Sequence, residues 1–137
     1  MHHRVLWAGA LLLAGCGQRL ATPVTTSTSA GLDQTFDCVK QQLKELDYKQ
    51  SSIDVDAHRI GATKIDDKTR RSDTQFRRML NKIDVEVAPQ ASGQTGIQVT
   101  GRTFAEYTTQ RGPTEVEEKA SDEVRSAQQQ VGERCRS

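Results

Sequence analysis

Two stretches in the middle of the chain alternate strictly between apolar and polar side chains, and they leave little freedom in the choice of fold. Ile83, Val85 and Val87 are separated by Asp84 and Glu86, and after the turn-forming run 89–96 the pattern resumes at Ile97, Val99, Gly101, Thr103 and Ala105. A period of two puts these residues on one face of a pleated strand. The pair therefore reads as an antiparallel hairpin with one face buried and the other, carrying Arg102, Phe104 and Glu106, in water. Ile53, Val55 and Ala57, then Ile60 and Ala62, alternate on either side of a turn at 56–59 and predict one or two further strands.

The apolar face needs a cover, and two helical stripes can supply it. Leu32, Phe36, Val39, Leu43 and Leu46 recur at steps of four and three, predicting a helix over about 33–47 capped by Asp33 or Thr35. Val116, Ala120, Val124, Ala127, Val131 and Cys135 form a second stripe. That helix is expected to begin at Thr114, with Glu115, Glu117 and Glu118 set against its N-terminal dipole, after Gly112 and Pro113 have stopped the preceding strand. The fold class that follows is α+β: a two-layer sandwich with an antiparallel sheet of three or four strands and the N- and C-terminal helices on one face.

The front of the chain has a different character. Arg4 precedes an apolar run from Val5 to Leu13, far short of the roughly 20 residues needed to cross a hydrocarbon core as a helix. The run ends in Leu13-Ala14-Gly15-Cys16, which resembles the signal of bacterial lipoproteins: an aliphatic residue, two small residues and a cysteine. The resemblance implies a diacylglyceryl group on the sulfur of Cys16, cleavage before it and acylation of the new terminus. Several acyl chains hold where one holds only marginally, since each buried methylene contributes about 0.8 kcal/mol. Gly17 follows the cysteine where an aspartate would retain the protein at the inner membrane. In a Gram-negative cell the resemblance thus implies the periplasmic face of the outer membrane, and in other bacteria the cell membrane. Residues 1–15 are then the signal peptide, 16–31 the lipidated cysteine and a flexible tether, and 32–137 a single small domain. The tether is assigned on its Thr, Ser and Ala content, Pro23 and lack of apolar period, with a reach of roughly 45–50 Å.

Loss of Arg4 with the leader would bring the chain's 19 Lys and Arg into near balance with its 18 Asp and Glu. That gives no reason to expect nucleic acid as a partner. Of the three cysteines, removal of Cys16 to the membrane leaves Cys38 and Cys135, which are expected to pair in an oxidising compartment.

Positive charge is densest between Lys64 and Lys82, which includes Arg70, Arg71, Arg77 and Arg78 together with Phe76, Met79 and Leu80. Arg70, Arg71, Phe76, Arg77 and Arg78 are the candidate interaction patch, either for an anionic group held by guanidinium forks or as the solvated tip of a hairpin around 68–73. Asp54, Asp56 and His58 suggest a calcium loop, but Arg59 and Ile65 occupy the positions where glycine and glutamate are required. A turn in which an aspartate accepts from backbone amides fits better.

Phe36-Asp37, Leu43, Leu46, Tyr48, the acidic turn 54–56 and Ile60 are similar in spacing to the helix-grip modules of the C-subunit lipoprotein of the β-barrel assembly machinery, with Asp47 standing where that module has glycine. The resemblance implies a non-catalytic accessory lipoprotein acting through protein contacts in the envelope. His2 and His3 leave with the leader, so His58 alone would remain, and no glycine-rich phosphate loop, Cys-x-x-Cys pair or nucleophile elbow occurs. The residues therefore point to a binding module without cofactor, metal or catalytic apparatus. A carrier or sensor of envelope lipid or glycan, and an inhibitor of a lysozyme-like enzyme acting through the 68–73 tip, are the alternatives. Replacing the anchoring thiol tests the premise they share: Cys16→Ser should abolish incorporation of labelled palmitate and release the protein from the membrane fraction.

Overall fold

The computed structural model describes residues 19–136; the signal sequence and Cys16 lie outside the described residues. The elements follow the order β1 (Val24–Thr28), α1 (Leu32–Glu45), β2 (Lys49–Asp54), β3 (Arg59–Asp66), β4 (Phe76–Pro89), β5 (Thr95–Thr109), β6 (Gly112–Glu118) and α2 (Asp122–Arg134). All strand pairs are antiparallel, in the order β1-β5-β4-β3-β2, with β6 also paired to β5. Both helices pack on one face of this sheet. The α+β class is as expected, but the sheet has six strands, not three or four.

The two extra strands come from segments that sequence pattern assigned elsewhere. Within the expected tether, Val24–Thr28 pairs with β5 from Val99 back to Thr95. Its inward residues are Val24, Thr26 and Thr28, so the alternation is carried mostly by threonine methyls, which are well suited to a pleated surface. The expected start of the last helix is also a strand. Gly112–Glu118 runs beside β5 in register from Thr109↔Gly112 to Thr103↔Glu118, and Gly112, with φ of 104°, turns the chain rather than ending the sheet. The helix begins at Asp122, where the Ser121 hydroxyl accepts from the Val124 amide at 3.2 Å. The step of four from Val116 to Ala120 fitted a helix by coincidence.

The first helix lies close to its expected span, but Gly31 is its N-cap and no side chain caps it. Asp33 instead bonds His58 Nε2 at 2.8 Å, pinning the β2–β3 turn to the first turn of α1. In that turn Asp54 accepts from the Ala57 amide at 3.1 Å, as a turn aspartate should. At the far end Asp47 adopts φ of 65° while the Tyr48 amide bonds the Leu43 carbonyl at 2.9 Å. A left-handed residue closing a helix explains why glycine would suit position 47.

The core is the predicted one along α1, β4, β5 and the later part of the second stripe, but Val116 on β6, Ile53 on the wholly exposed β2 edge and Val55 in the following turn are exposed, because edge strands and turns have no element packed over them. Phe36, Val39 and Leu43 from α1 and Val124, Ala127 and Val131 from α2 meet Ile60, Ala62, Ile83, Val85, Val87, Ile97 and Val99 of the sheet, all nearly inaccessible. Cys38 and Cys135 are joined, with sulfurs 2.17 Å apart. This links α1 to the end of α2 across a separation of 97 residues, and in the chain-entropy account such a loop closure contributes about 4–5 kcal/mol.

One edge of β5 is only partly occupied, since β1 pairs with residues 95–99 and β6 with 103–109. Gly101 lies in the gap, and its amide donates to Gln128 Oε1 of α2 at 2.7 Å. The same side chain donates through Nε2 to the Thr22 carbonyl at 3.1 Å. Glycine at 101 lets the helix come this close, because a Cβ there would sit 2.9 Å from a Val124 methyl and 3.0 Å from the Val124 carbonyl oxygen. Beside the gap, Asn81 Oδ1 accepts from the hydroxyls of Thr103 (2.8 Å) and Ser121 (2.9 Å), fixing the cap of α2 to the sheet. Gln128→Leu should therefore lower the unfolding free energy by about 1–3 kcal/mol, because it leaves the buried Gly101 amide unpaired, whereas the exposed Thr22 carbonyl can turn to water. Urea denaturation against exposed Gln129→Leu checks this; equal stabilities would show that the gap does not need the bridge.

Candidate functional site

The expected interaction patch is divided by the sheet. Arg71 and Phe76 lie toward the helix-covered side at the end of the β4–β5 hairpin, where Phe76 meets Tyr107 edge to face at 5.9 Å and the Arg71 guanidinium lies 5.1 Å from the Phe76 ring centre. Arg77 and Arg78 follow a bulge in β4 and reach Glu106 on the opposite face, at 3.8 and 3.3 Å. Arg70 donates to backbone carbonyls of its own loop, those of Asp67 and Thr69. These five residues do not form one surface.

Nor are the cations free. Arg71 makes a two-pronged contact with Glu118 at 2.6 and 2.7 Å and donates to the Tyr107 hydroxyl at 2.9 Å. Lys82 meets Glu115 at 2.6 Å and Lys64 meets Glu123 at 2.8 Å. Hydrogen bonding from Arg71 holds the Glu118 carboxyl below its ordinary 4.5, against the opposing effect of partial burial. The same bond raises the Arg71 guanidinium. The loop 67–75 is exposed along most of its length but is tied at its middle by Arg71 and at its two ends. Asp66 accepts from the Thr69 hydroxyl at 2.7 Å and the Lys68 amide at 2.9 Å, and the Thr108 amide bonds the Gln75 carbonyl at 2.8 Å.

Among the described residues the other face of the sheet has no helix over it, although Leu80 and Glu106 on it are buried by their neighbours. Ile65, Leu80 and Phe104 are directly opposed across β3, β4 and β5; Ile65 is 49% exposed, whereas Leu80 is buried at 4%. Ion pairs flank this apolar strip. Lys82 lies 4.7 Å from the centre of the Phe104 ring on its way to Glu115, Arg102 approaches Glu117 at 3.8 Å, and Arg78 approaches Glu106. Arg102, Phe104 and Glu106 do share this face, as the alternation implied. Further along, the absent side chain of Gly61 leaves a shallow depression of about 510 Å³ bordered by Arg59, Asp84, Glu86, Gln98 and Thr100. A Cβ at Gly61 would lie 2.5 Å from the Ser52 hydroxyl and 3.1 Å from Asp84 Oδ1.

A second groove, of about 580 Å³, runs between α1 and the β2 edge. Its floor is Leu43, Tyr48, Ile60 and Ala62, and Lys40, Lys44 and Lys49 stand at its rim. The floor residues are 4% exposed or less, so the groove presents little apolar surface to a lipid. The Tyr48 hydroxyl has no hydrogen-bond partner among the described residues; burial first, then the charge of Glu123, raises it well above the usual tyrosine range. His58 bonds Asp33 and packs edge to face on Phe36 at 5.3 Å, a structural role. Among the described residues no three metal-ligand side chains converge, and no helix is long and apolar enough to cross a membrane.

Gln128 and Asn81 were not singled out by sequence pattern, and Glu115, Glu117 and Glu118, expected to face a helix dipole, instead pair with Lys82, Arg102 and Arg71 across the sheet. Gln128 carries one signal in retrospect, since it lies four residues after Val124 on the buried side of α2. No protein-family model matches the chain, and no curated protein matches its sequence.

The pairing of Arg71 with Glu118 has a pH signature. A carboxylate whose folded pKa is depressed contributes stability above its unfolded value and loses it as pH falls through the folded one. Glu118→Gln should thus cost about 1 kcal/mol near pH 7, the scale of a partly exposed charge-assisted pair. The difference from the parent should vanish well below the ordinary 4.5. Urea titrations at the two pH values check it; a deficit of the same size in acid would assign the effect to packing.

Proposed function

We propose that the protein is a lipid-anchored envelope lipoprotein, at the periplasmic face of the outer membrane in a Gram-negative cell, whose domain is a non-catalytic binding module for a protein neighbour. The observation that carries the reading is the helix-free face: an apolar strip from Ile65 through Leu80 to Phe104, bordered by cross-strand ion pairs. A row of already neutralised charges around an apolar centre suits a protein surface of mixed charge better than a polyanion, which would have to displace a carboxylate from each cation. The leader and Cys16 supply the anchor, and the similarity to accessory modules of barrel assembly favours contacts with protein over chemistry on a small molecule.

A lipid or glycan carrier is less well supported, because the core between sheet and helices is filled by side chains that are almost fully buried. Inhibition through a projecting 68–73 loop is also less well supported, because Arg71 ties the middle of that loop to Glu118 of β6.

A photo-crosslinking residue at Ile65 or Thr63, on the open face, should capture a discrete protein band in intact cells, whereas the same residue at Gln41 on α1 should not. Capture at Gln41 with none at the two sheet positions would transfer the binding surface to the helices. No discrete partner at any position would remove the binding-module reading.

A further inference from the structure

The long tether expected from sequence is largely absorbed into the fold, and this determines where the domain stands relative to its anchor. Before β1 begins, the Leu20 carbonyl already accepts from the Ala120 amide at 2.9 Å, and the Thr22 carbonyl accepts from Gln128. Gly17, Gln18 and Arg19 alone separate Cys16 from Leu20. Four Cα steps reach at most roughly 14 Å, less than half the reach first expected. A chain acylated at Cys16 would hold the sheet edge at Leu20 against the headgroup layer.

That edge carries a cleft. In the gap between β1 and β6, Arg19, Leu20, Lys119, Ala120, Arg125 and Gln128 enclose about 130 Å³. Three of its side chains are cations. Arg19 and Lys119 form no ion pair with the described residues, and Arg125 is joined only to Asp122, which is almost fully exposed. Most of the long basic run differs, since Arg71, Arg77, Arg78, Lys64 and Lys82 each have a carboxylate, and among the described residues Lys68 and Arg70 alone in it do not. Other cations without an ion pair among the described residues, such as Lys44, Lys49 and Arg111, are scattered over the surface, whereas Arg19 and Lys119 share one cleft with Arg125 where the chain leaves for its anchor. Leu20, at 41% exposure, and Val116 on β6, at 49%, add apolar side chains to the same edge. The β2 edge is four strand spacings away, about 19 Å, and faces away from any surface that the first edge touches.

We propose that the β1/β6 edge is a membrane-docking surface in which Arg19, Lys119 and Arg125 bind the phosphate of anionic phospholipid headgroups, so that the domain rests edge-on against the bilayer with β2 outermost. The proposal rests on acylation of Cys16 and adds to it a site and an orientation. Each cation near an anionic surface adds modestly to the affinity, and the contact weakens with salt. Neither the acyl anchor nor the helix-free face requires this contact.

The test uses the mature acylated protein in vesicles of phosphatidylcholine alone and in vesicles containing about one-third phosphatidylglycerol. A water-soluble amine-acylating reagent is added, and the modification rates of Lys119 and Lys49, the latter on β2, are read by mass spectrometry. Lys119 should react roughly fivefold more slowly in the anionic vesicles than in the neutral ones, with Lys49 unchanged and the difference reduced at high salt. The Arg19→Gln/Arg125→Gln variant should lose much of the Lys119 protection while still sedimenting with vesicles; if it fails to fold, the composition dependence of the unmodified chain decides alone. An unchanged ratio of Lys119 to Lys49 in the two lipids, on a chain whose intact mass shows the acyl groups, overturns the docking surface and leaves the anchor standing. An intact mass without acyl groups overturns both.

Discussion

The structure depends on how one long strand shares its edge. β5 has β4 along one side, but on the other it serves two short strands, and between them its backbone at Gly101 would face a gap. An unpaired buried amide costs about 1–3 kcal/mol. The Gln128 side chain fills the gap from α2, accepting from Gly101 and donating to Thr22. One amide group thereby fastens the second helix, the sheet and the incoming N-terminal segment together. Gly101 is part of the same device, since any side chain there would push α2 away. Asn81, Thr103 and Ser121 secure the helix start next to it, and the disulfide secures the other end.

The second organising relation is electrostatic. The acidic run Glu115–Glu118 and the basic run from Lys64 to Lys82 are far apart in sequence, yet β6 and β4 flank β5, and long side chains reach across it. Lys82 passes over Phe104 to Glu115, and Arg71 reaches Glu118 around Tyr107. Such pairs on a sheet surface each contribute little to stability. Their larger effect is on recognition, because they turn two stretches of opposite charge into a mosaic with no strong net potential. Arg19 and Lys119 lie outside that mosaic and share one cleft with Arg125.

Several elements could be read directly from the residues. The β4–β5 hairpin was legible because every second residue from Ile83 and from Ile97 must be apolar when one face is covered. Helix α1 was legible because its stripe has the helical period over its full length. The pairing of Cys38 with Cys135 followed from the compartment implied by the leader. What misled was local ambiguity. Val24–Thr28 resembles a linker, since threonine and serine serve both strands and loops, and Thr114–Glu118 suits a helix N-terminus as well as an edge strand.

Sequence by itself determined the class of the fold and most of the core, because these rest on side-chain hydrophobicity and its period along the chain. Tertiary structure alone decided the strand count, the partners of the charged runs and how early the N-terminal segment joins the fold, at Leu20. The physical reason is that edge strands have little burial of their own and form only when a neighbour offers hydrogen bonds. For β1 and β6 that neighbour is β5, and the distance from Thr28 to Thr95 along the chain carries no local sign of the pairing.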